Sequence, residues 1–527
     1  MTARSEDRAG PPFLPRNRLK QHSPGAPSAF VRSAATGGAE PDGRLRPPAI
    51  LEPRQNCWCA PHARRATVLV DGASYFARLE QSLRLARRSI TILGWDFDAG
   101  IRLRPDREEG SGETLGDLLR DLVEQAPELE IRILVWSLSV VHAPSAVLPA
   151  IFGAAWREHP RVRVHLDTHH PLYAAHHQKV VTVDDAVAFV GGMDLTVDRW
   201  DSHKHAADEP LRRCADGSIY PAVHDIQMAV DGEAAAAIAS LVRDRWREAV
   251  GEDLAPVSAS HDPWPTGLEP DFTHIPVAIS RTRPAWDGHP GWREVEALTR
   301  DALKAARRTI YIEAQYLAAS FIGRILAEKL SRPDGPEIVI ITTQTSRSFI
   351  EQWVMGNNRD RLLRRLRKAD RFNRLRVYYP VSPGESEDCA ILIHSKLLIV
   401  DDVLIRVGSA NLNNRSMGLD TECDLAVEAS TEAEQRTIAG LRGRLIAEHL
   451  GVEEEVFAEA LASSPFLLAA IDGLNHHRRG LRPFTSHHKR GPTRPVFGTG
   501  LLDPSRPFWP PWPQRRTRAR ARSTATS

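Results

Sequence analysis

Two histidine–lysine pairs are the residues of this chain whose types and spacing are best suited to chemistry. His177 and Lys179 open the segment HQKVVTVD, and His394 and Lys396 open the segment HSKLLIVD. Both segments follow the pattern H-x-K-x-x-x-x-D. An imidazole can attack or protonate a phosphate, and an ammonium group can hold the phosphate oxygens. The two copies therefore predict a duplicated active-site element that acts on a phosphate group.

Each pattern continues as an apolar strand. Residues 180–183 and 397–400 are apolar and β-branched enough to form buried strands. Residues two apart on a strand face the same way, so the His and Lys of each copy project side by side. Asp184 and Asp401 close the two patterns at the far end of the strand, where a turn returns the chain. We expect these two carboxylates to brace the fold or pair with neighbouring groups rather than touch substrate.

Lysine is rare in the chain, which makes its position in the pattern informative. Only eight of the 69 Lys and Arg residues are Lys, and two of the eight are Lys179 and Lys396. Lys is a compact point charge on a flexible stem, and Arg does not replace it. Chance placement on two unrelated surface strands is therefore a poor explanation of the two copies.

The sequence around the motifs also repeats. Residues 86–90 correspond to 306–310, residues 129–133 to 337–341, and residues 161–164 to 374–377, at spacings close to the 217 residues between His177 and His394. Helical segments alternate with short apolar strands in both halves, which is typical of α/β sheets covered on both faces. The duplication therefore involves two similar α/β domains rather than two short motifs.

Composition sets the expected domain boundaries. Residues 1–60 are rich in Pro, Arg, Gly and Ala, which is typical of disorder. Residues 61–250 and 275–465 are the two expected domains, and residues 251–274, rich in Pro and Asp, are the expected linker. Residues 466–527 are expected to be a disordered aromatic and basic tail. The alternative for the tail is that Phe508–Trp512 and the following arginines dock on an anionic membrane surface.

Bulk properties exclude several classes of protein. The net charge of +2 gives no general attraction for nucleic acid. The five Cys residues form neither a disulfide framework nor a zinc motif, and no apolar run reaches the length of a membrane span. We expect a cytoplasmic location, with peripheral membrane contact as the alternative. His169, His170 and His176 precede the first motif in an expected loop, where exposed His is commoner than a metal ligand, so we expect no catalytic metal and no cofactor.

With these residues in hand, the chain resembles the phospholipase D superfamily over roughly residues 65–450. That superfamily carries paired H-x-K-x4-D elements followed by Gly-Gly or Gly-Ser and an Asp or Asn, as in Gly191–Asp194 and Gly408–Asn411 here. Further segments are similar to the motifs of true phospholipases D: Arg199-Trp200-Asp201, His224-Asp225-Ile226 and Ile310–Tyr316. One departure is Ala314, where the family often carries Asn. The resemblance implies two phospholipase D-like α/β domains, each a mixed sheet flanked by helices, with the active site at their interface.

The resemblance also implies a two-step mechanism through a covalent phosphohistidine. By it, His177 is the expected nucleophile and His394 the expected general acid and base, and the pseudo-two-fold symmetry leaves their order open. Lys179 and Lys396 would carry the phosphoryl charge.

Several further side chains are expected to support the two histidines. Asn411 and Ser409 would add hydrogen bonds, and Asp194 occupies the position of Asn411 in the first copy. A histidine nucleophile needs an acceptor at its far nitrogen to fix the tautomer. Glu422 for one half and Asp201 for the other are the candidates for that acceptor.

The expected activity is hydrolysis of a glycerophospholipid such as phosphatidylcholine to phosphatidic acid and free head group, with transfer to alcohols also permitted. The expected partner is a phospholipid at a membrane surface, with no nucleic acid, and a monomer suffices because both half-sites lie in one chain. The alternatives are a phosphatidyl transferase of the cardiolipin synthase type and a nucleic-acid phosphodiesterase. A catalytically inactive scaffold is disfavoured because both copies keep His and Lys.

Overall fold

A computed structural model of the chain describes residues 49–107, 112–136, 159–171, 173–214, 216–344, 356–464 and 466–485, together with residues 492, 503, 504 and 506. These residues belong to one compact unit that begins at Ala49. Three segments lie outside the described residues: residues 145–157, where the alternating pattern predicts a helix, most of the N-terminal segment, and the tail segment Phe508–Trp512.

The first half alternates strands with helices, as its sequence predicts. Its strands are β1 (His62–Val70), β2 (Ser89–Gly94), β3 (Glu130–Trp136), β4 (Val162–Asp167), β5 (Val180–Val183), β6 (Val187–Gly191), β7 (Val223–His224), β8 (Ile226–Asp231) and β9 (Phe272–Pro276). Its described helices are α1 (Asp71–Leu85), α2 (Leu115–Gln125) and α3 (Gly232–Val250).

The second half repeats this order and adds elements after it. Its strands are β10 (Ala278–Arg283), β11 (Trp292–Arg293), β12 (Thr309–Ala314), β13 (Glu337–Thr342), β14 (Leu375–Pro383), β15 (Asp388–Ala390), β16 (Leu392–Ile393), β17 (Lys396–Val400), β18 (Leu404–Gly408), β19 (Glu422–Glu428) and β20 (Gly480–Pro483). Its described helices are α4 (Glu294–Ala305), α5 (Ser320–Ser331), α6 (Asn357–Ala369), α7 (Glu432–Leu450), α8 (Glu454–Ser463) and α9 (Leu467–Leu474).

The two large sheets have the same strand order, which confirms the internal duplication. The first runs β4-β3-β2-β5-β6-β8-β1-β9, and the second runs β14-β13-β12-β17-β18-β19-β10-β11, with β15 and β20 added beside β14. Strands β2, β3 and β4 are parallel, whereas β5 is antiparallel to β2 and to β6, so the sheet is mixed. The strands that carry the two motifs, β5 and β17, occupy the same central place in their sheets.

Local sequence explains where the main helices begin and end. α2 and α7 each start with a capping box, formed by Thr114 with Asp117 and by Thr431 with Glu434. α7 ends at Gly451, whose φ of +68° is a left-handed conformation that favours glycine. α7 is thus capped at both ends, and Glu448 lies in its last turn.

Three apolar cores hold the elements together. A central core is shared by the halves, with residues such as Val190 and Met228 of the first sheet and Val407 and Leu425 of the second. An outer core in each half packs its helices on the opposite face of its sheet. The two halves therefore share one core, and the two half-sites lie beside it. Among the described residues, no helix is both long and apolar enough to cross a bilayer.

Three expected domain boundaries differ from the structure. Residues 49–60 are ordered rather than disordered, because Cys57 is completely buried and the backbone N–H groups of Ile50 and Leu51 donate to Glu428. The expected linker ends inside β9, which pairs with β1. The end of the linker therefore forms its backbone hydrogen bonds with a neighbouring strand. The N-terminal segment forms them with a carboxylate.

The expected disordered tail also contains structure. Helix α9 packs in the central core, and β20 extends the second sheet beside β14. Further on, the buried carboxylate of Asp503 accepts hydrogen bonds from the Asn414 side chain at 2.8 Å and from the Arg415 backbone at 2.9 Å. The composition of this region is typical of disorder, so it gives no sign that a few of its residues have specific partners.

Candidate active site

The two motif histidines lie where the halves exchange contacts. The backbone N–H of His177 donates to the carbonyl of Thr421 at 3.0 Å, and the backbone N–H of His394 donates to the carbonyl of His224 at 2.8 Å. The second contact belongs to a short parallel ladder between β7 and β16. Each histidine is therefore fixed by backbone of the opposite half, immediately before an acidic residue of that half.

These acidic residues hold the imidazoles. Nδ1 of His177 lies 3.0 Å from Oε2 of Glu422, and Nδ1 of His394 lies 2.6 Å from Oδ2 of Asp225. Both carboxylates are buried. A carboxylate that accepts from Nδ1–H leaves Nε2 with its lone pair free, which is the tautomer a nucleophile or general base needs.

Asp225 and Glu422 are equivalent positions of the duplication. Gly191 pairs with Gln227 in the first sheet and Gly408 pairs with Asp424 in the second, so Asp225 and Glu422 each precede the partner of a motif glycine by two residues. The arrangement is a pseudo-two-fold exchange in which each half supplies the acceptor for the other half's imidazole.

One sequence-based candidate for this role is wrong. Asp201 was the expected acceptor for one half, but its carboxylate lies 2.9 Å from Nδ1 of His205 and 3.0 Å from Nη1 of Arg212. Asp225 takes that place. Its position in the repeat, equivalent to Glu422, is the sequence signal that would have identified it.

The two lysines lie beside their histidines, and their surroundings differ. Nζ of Lys179 lies 3.1 Å from Oδ2 of Asp194. Asn411 takes the position of Asp194 in the second half, where Nζ of Lys396 instead lies 3.1 Å from Nδ1 of His394. Both lysines are almost completely buried. The first lysine is thus neutralised by a carboxylate at a place where the second half has an uncharged amide.

Burial and charge set the protonation states at His177. Burial, with the positive charges of Lys179 and Lys396, holds the pKa of His177 well below its ordinary value. Burial raises the pKa of Glu422 to about 8 despite the hydrogen bond that Ser409 donates at 2.6 Å. His177 and Ser409, which follows the second motif, both contact the Glu422 carboxylate, so the two motif regions meet there. His177 is therefore a neutral imidazole. The Glu422 carboxyl beside it loses its proton only near pH 8.

The second half-site shows the same effects of burial. Burial lowers the pKa of Lys396 to about 8, and Lys179 lowers it further while Asp225 opposes the shift. Burial raises the pKa of Asp225. The carboxamide oxygen of Asn411 is buried and accepts no hydrogen bond from the part of the chain that the structure describes.

Asp184 and Asp401 lie away from the imidazoles and brace the two sheets. The Asp184 carboxylate accepts from the backbone N–H groups of Arg87, Arg88 and Ser89 at 2.8, 2.8 and 2.6 Å. Asp401 accepts from the equivalent residues 307–309 at 2.7, 2.7 and 2.8 Å. Both have positive φ, 50° and 55°, in the turn after the motif strand, a conformation that Asp tolerates. Their contacts are structural.

The histidines before the first motif are more buried than expected. His176 is completely buried, with Nδ1 at 2.7 Å from Oδ2 of Asp167, and His170 is also buried. Nε2 of His169 lies 3.4 Å from Oδ2 of Asp287. The loop contacts the second half, where the Ala175 backbone N–H donates to Asp420 at 2.8 Å, and two of its three histidines have carboxylate partners.

Aromatic side chains flank the first half-site. Trp95 and Trp136, at the ends of β2 and β3, are stacked with ring centroids 5.6 Å apart. The backbone N–H of Trp95 donates to Asp194, the partner of Lys179, at 2.8 Å. Gln315 occupies the corresponding place after β12, where its amide donates to the hydroxyl of Tyr316 at 3.2 Å. The stacked pair is thus connected to the first half-site through Asp194.

Family models match both halves of the chain. A family model described as phospholipase D matches residues 82–265, and one described as the phospholipase D-like domain of cardiolipin synthase matches residues 299–438; together they match more than half of the chain. Phospholipase D1 of Saccharomyces cerevisiae is 23% identical over 74% of this chain and 29% of the yeast protein. Phospholipase D alpha 4 of Arabidopsis thaliana is 24% identical over 77% of this chain and 68% of the plant protein.

Two further comparisons define the extent of the similarity. Phospholipase D A of Dictyostelium discoideum is 24% identical over 73% of this chain and 36% of its own length, so this chain spans well under half of that protein and of the yeast relative. The crystal structure of a phosphatidylserine synthase from Haemophilus influenzae matches 78% of this chain and 92% of its own, with a TM-score of 0.50 and 13% identity, which shows a shared fold. By its duplicated motifs, its fold and these matches, the chain belongs to the phospholipase D superfamily.

Proposed function

We propose that the chain is a phospholipase D that hydrolyses glycerophospholipids such as phosphatidylcholine to phosphatidic acid and the free head group. The observation that carries the proposal is the pair of crossed contacts, His177 with Glu422 and His394 with Asp225, each next to a lysine. Two oriented imidazoles with two ammonium groups supply a nucleophile, a proton donor and charge stabilisation for a phosphodiester.

In the first step, Nε2 of His177 attacks phosphorus. A nitrogen–phosphorus bond forms and the phosphorus–oxygen bond to the head group breaks, while His394 gives a proton to the departing alcohol oxygen. The low pKa of His177 supports its role as the nucleophile, because the imidazole is neutral before it attacks. This assignment breaks the symmetry between the two histidines.

In the second step, His394 takes a proton from water as its oxygen attacks phosphorus. The nitrogen–phosphorus bond breaks, which releases phosphatidic acid and restores neutral His177. Lys179 and Lys396 hold the phosphoryl oxygens in both transition states. Lys179 is paired with Asp194 and Lys396 lies in the field of Asp225, so each ammonium group has a carboxylate that stabilises its charged form.

The stacked Trp95 and Trp136 support a lipid substrate at a membrane surface. Large aromatic surfaces bind apolar or cationic groups, and a choline head group is a quaternary ammonium that aromatic rings recognise. A phospholipid presents both features on the same molecule. The chain's low net charge gives no comparable support for a nucleic-acid substrate.

The test is an assay of the purified chain on vesicles of phosphatidylcholine, phosphatidylethanolamine or phosphatidylglycerol, and on single-stranded DNA. We expect phosphatidic acid from at least one lipid and no cleavage of DNA. The matched pair is His177→Ala, which should be inactive, and His477→Ala, an exposed histidine whose loss should leave the rate unchanged. DNA cleavage without lipid cleavage would reject the proposal.

A second candidate function is phosphatidyl transfer, supported by the match of residues 299–438 to the cardiolipin synthase-type domain. The same phosphohistidine would pass its phosphatidyl group to an alcohol instead of water. Adding a primary alcohol or phosphatidylglycerol to the assay separates the two. Transfer product that exceeds phosphatidic acid at low acceptor concentration would identify a transferase.

A further inference from the structure

A second group of buried ionisable side chains lies outside the candidate active site formed by the two His–Lys motifs. It consists of Asp71, His205, His224 and Glu448, which we call the histidine–carboxylate cluster. Asp71 begins α1, His224 ends β7, and Glu448 comes from the last turn of α7 in the other half. We propose that this cluster binds a divalent transition-metal ion, with Zn²⁺ the best fit, and that the ion holds Asp225 in place behind His394.

The interatomic distances match those of a tetrahedral site. His224 Nδ1 lies 3.0 Å from Asp71 Oδ1 and 3.1 Å from Glu448 Oε1, and His205 Nε2 lies 3.1 Å from Glu448 Oε1 and 3.4 Å from Asp71 Oδ2. Four ligands on Zn²⁺ at its usual bond lengths lie about 3.3 Å from one another. One atom from each of the four side chains can be chosen so that all lie within 4.8 Å of one another.

The outer nitrogens of both imidazoles are already bound to carboxylates. His205 Nδ1 lies 2.9 Å from Asp201 Oδ2, and His224 Nε2 lies 2.9 Å from Glu313 Oε2. Metal-binding histidines almost always donate their other ring N–H to a carboxylate or carbonyl in this way. With the proton on the outer nitrogen, the lone pair of the inner nitrogen points into the cluster, as metal binding requires.

Several inner atoms have no other partner. Both oxygens of Asp71 and Nδ1 of His224 are completely buried and make no hydrogen bond with a described residue outside the cluster. When the inner nitrogens of both imidazoles carry no proton, no described donor remains for the Asp71 carboxylate, and a bound cation would satisfy it. This is the observation that points to a ligand rather than to a network that is complete by itself.

Charge and ligand type favour a transition metal. Two carboxylates and two neutral imidazoles balance a divalent ion, and a mixed nitrogen and oxygen set suits Zn²⁺ better than Mg²⁺ or Ca²⁺, which prefer oxygen. The competing arrangement has two protonated imidazoles and no metal. Arg479 is the other basic group near Glu448 and Asp71, whereas Arg212 contacts the outer carboxylate Asp201 and His449 contacts the outer carboxylate Glu313.

An ion could reach the cluster from solvent. Asp71 and Glu448 line a surface cleft whose wall also includes Glu269, Asp271 and Glu453. The same wall also carries the basic residues Arg78, Lys204, Arg444 and Arg479, so the cleft provides access rather than a strongly acidic surface. The cleft therefore offers a path for entry and exchange.

The cluster is connected to the phosphate site through the backbone. The N–H of Asp71 donates to the carbonyl of Asp225 at 2.9 Å, and His224 directly precedes Asp225. Asp225 orients His394 at 2.6 Å. An ion on Asp71 and His224 would thus act as a positioning element for the general acid, without touching substrate.

The experiment measures metal directly, so its outcome does not depend on whether the chain is a phospholipase. The purified full-length chain is dialysed against a weak chelator resin and analysed by plasma mass spectrometry, and Co²⁺ is then substituted. We expect about one Zn²⁺ per chain and, with Co²⁺, the intense visible absorption of a tetrahedral site. His205→Ala should lose both signals, whereas His477→Ala should retain them.

A milder variant guards against misfolding of His205→Ala. Asp201→Asn keeps the shape of the outer partner of His205 and should weaken metal binding by roughly 10- to 100-fold. The thermal midpoint of the unmodified chain should also rise on addition of Zn²⁺ after stripping with a strong chelator. A folded chain that holds no metal, shows no tetrahedral Co²⁺ spectrum and has a midpoint insensitive to Zn²⁺ would overturn the proposal in favour of protonated imidazoles.

Discussion

Oδ2 of Asp225 lies 2.6 Å from Nδ1 of His394, a residue 169 positions further along the chain and in the other half of the molecule. Its counterpart is the contact between Glu422 and His177 at 3.0 Å. Neither imidazole takes its acceptor from its own half. The orientation of each motif histidine therefore depends on a carboxylate from the other repeat.

The first prediction concerns this contact. Asp225→Asn should lower kcat roughly 10²- to 10⁴-fold, because the amide no longer fixes the required tautomer of His394, while KM should change little. Steady-state kinetics on a phospholipid measure the effect. Asp253→Asn, an exposed residue, is the control and should match the unmodified chain. A normal kcat in Asp225→Asn would mean that His394 is oriented by another group.

The second prediction separates the two histidines. In His394→Ala, an aryl phosphodiester whose leaving group needs no proton should still react, and the phosphoryl group should remain on His177. Intact-protein and peptide mass spectrometry would locate the adduct. An adduct found instead on His394 in the His177→Ala variant would reverse the roles proposed for the two residues.

The third prediction is a pH profile with limbs on both sides of about pH 8. Glu422, with its pKa raised to about 8, must lose its proton before His177 has a free Nε2, so kcat/KM should rise with pH up to that point. Lys396, with its pKa lowered to about 8, loses its charge above it, so the rate should then fall. Glu422→Gln should remove the rising limb and leave the falling one. A profile in the variant identical to that of the unmodified chain would contradict the assignment.

The fourth prediction concerns the two motif aspartates. Asp184→Ala leaves three backbone N–H groups without an acceptor and should lower the free energy of unfolding by about 2–4 kcal/mol. Asp401→Ala should cost less, because its contacts are more exposed. Denaturant unfolding measures both, and kcat per folded molecule should stay close to normal. A loss of kcat without loss of stability would place these carboxylates in the chemistry after all.

The fifth prediction tests the close approach of Gly192 to Asp225. A Cβ at Gly192 would lie 2.1 Å from Oδ1 of Asp225, so Gly192→Ala should displace that carboxylate and reduce kcat. Gly440→Ala, in the interior of α7 with open space around it, is the matched control. It should retain activity and gain about 0.5–1 kcal/mol in stability from helix propensity. Equal activity in the two variants would show that Asp225 tolerates the shift.

Sequence patterns were sufficient where one element carries all the information. The apolar runs after His177 and His394 predicted the motif strands, and the repeated order of segments predicted two sheets of the same topology. Glu422 was also among the candidate acceptors, as the first residue of an expected strand. Its role follows from the contact with His177, which a spacing cannot reveal.

The missed features all depend on contacts between distant segments. Asp225 was overlooked in favour of Asp201 because both are acidic residues near the first motif, and only the exchange between halves distinguishes them. The histidine–carboxylate cluster combines Asp71 with Glu448 from the far end of the chain. Likewise, the order of residues 49–60 depends on Glu428. No local periodicity carries such information.

The crossed contacts have a consequence for the origin of the fold. Two equivalent surfaces that each donate a residue to the other are what a symmetric homodimer of a single repeat would form. Joining both copies in one polypeptide removes the requirement that a substitution appear on both sides at once. Asp194 opposite Asn411, Gly192 opposite Ser409 and Asp225 opposite Glu422 are the differences that such freedom permits. In a symmetric homodimer of one repeat, both imidazoles would have identical surroundings. They could therefore not differ in role before substrate bound.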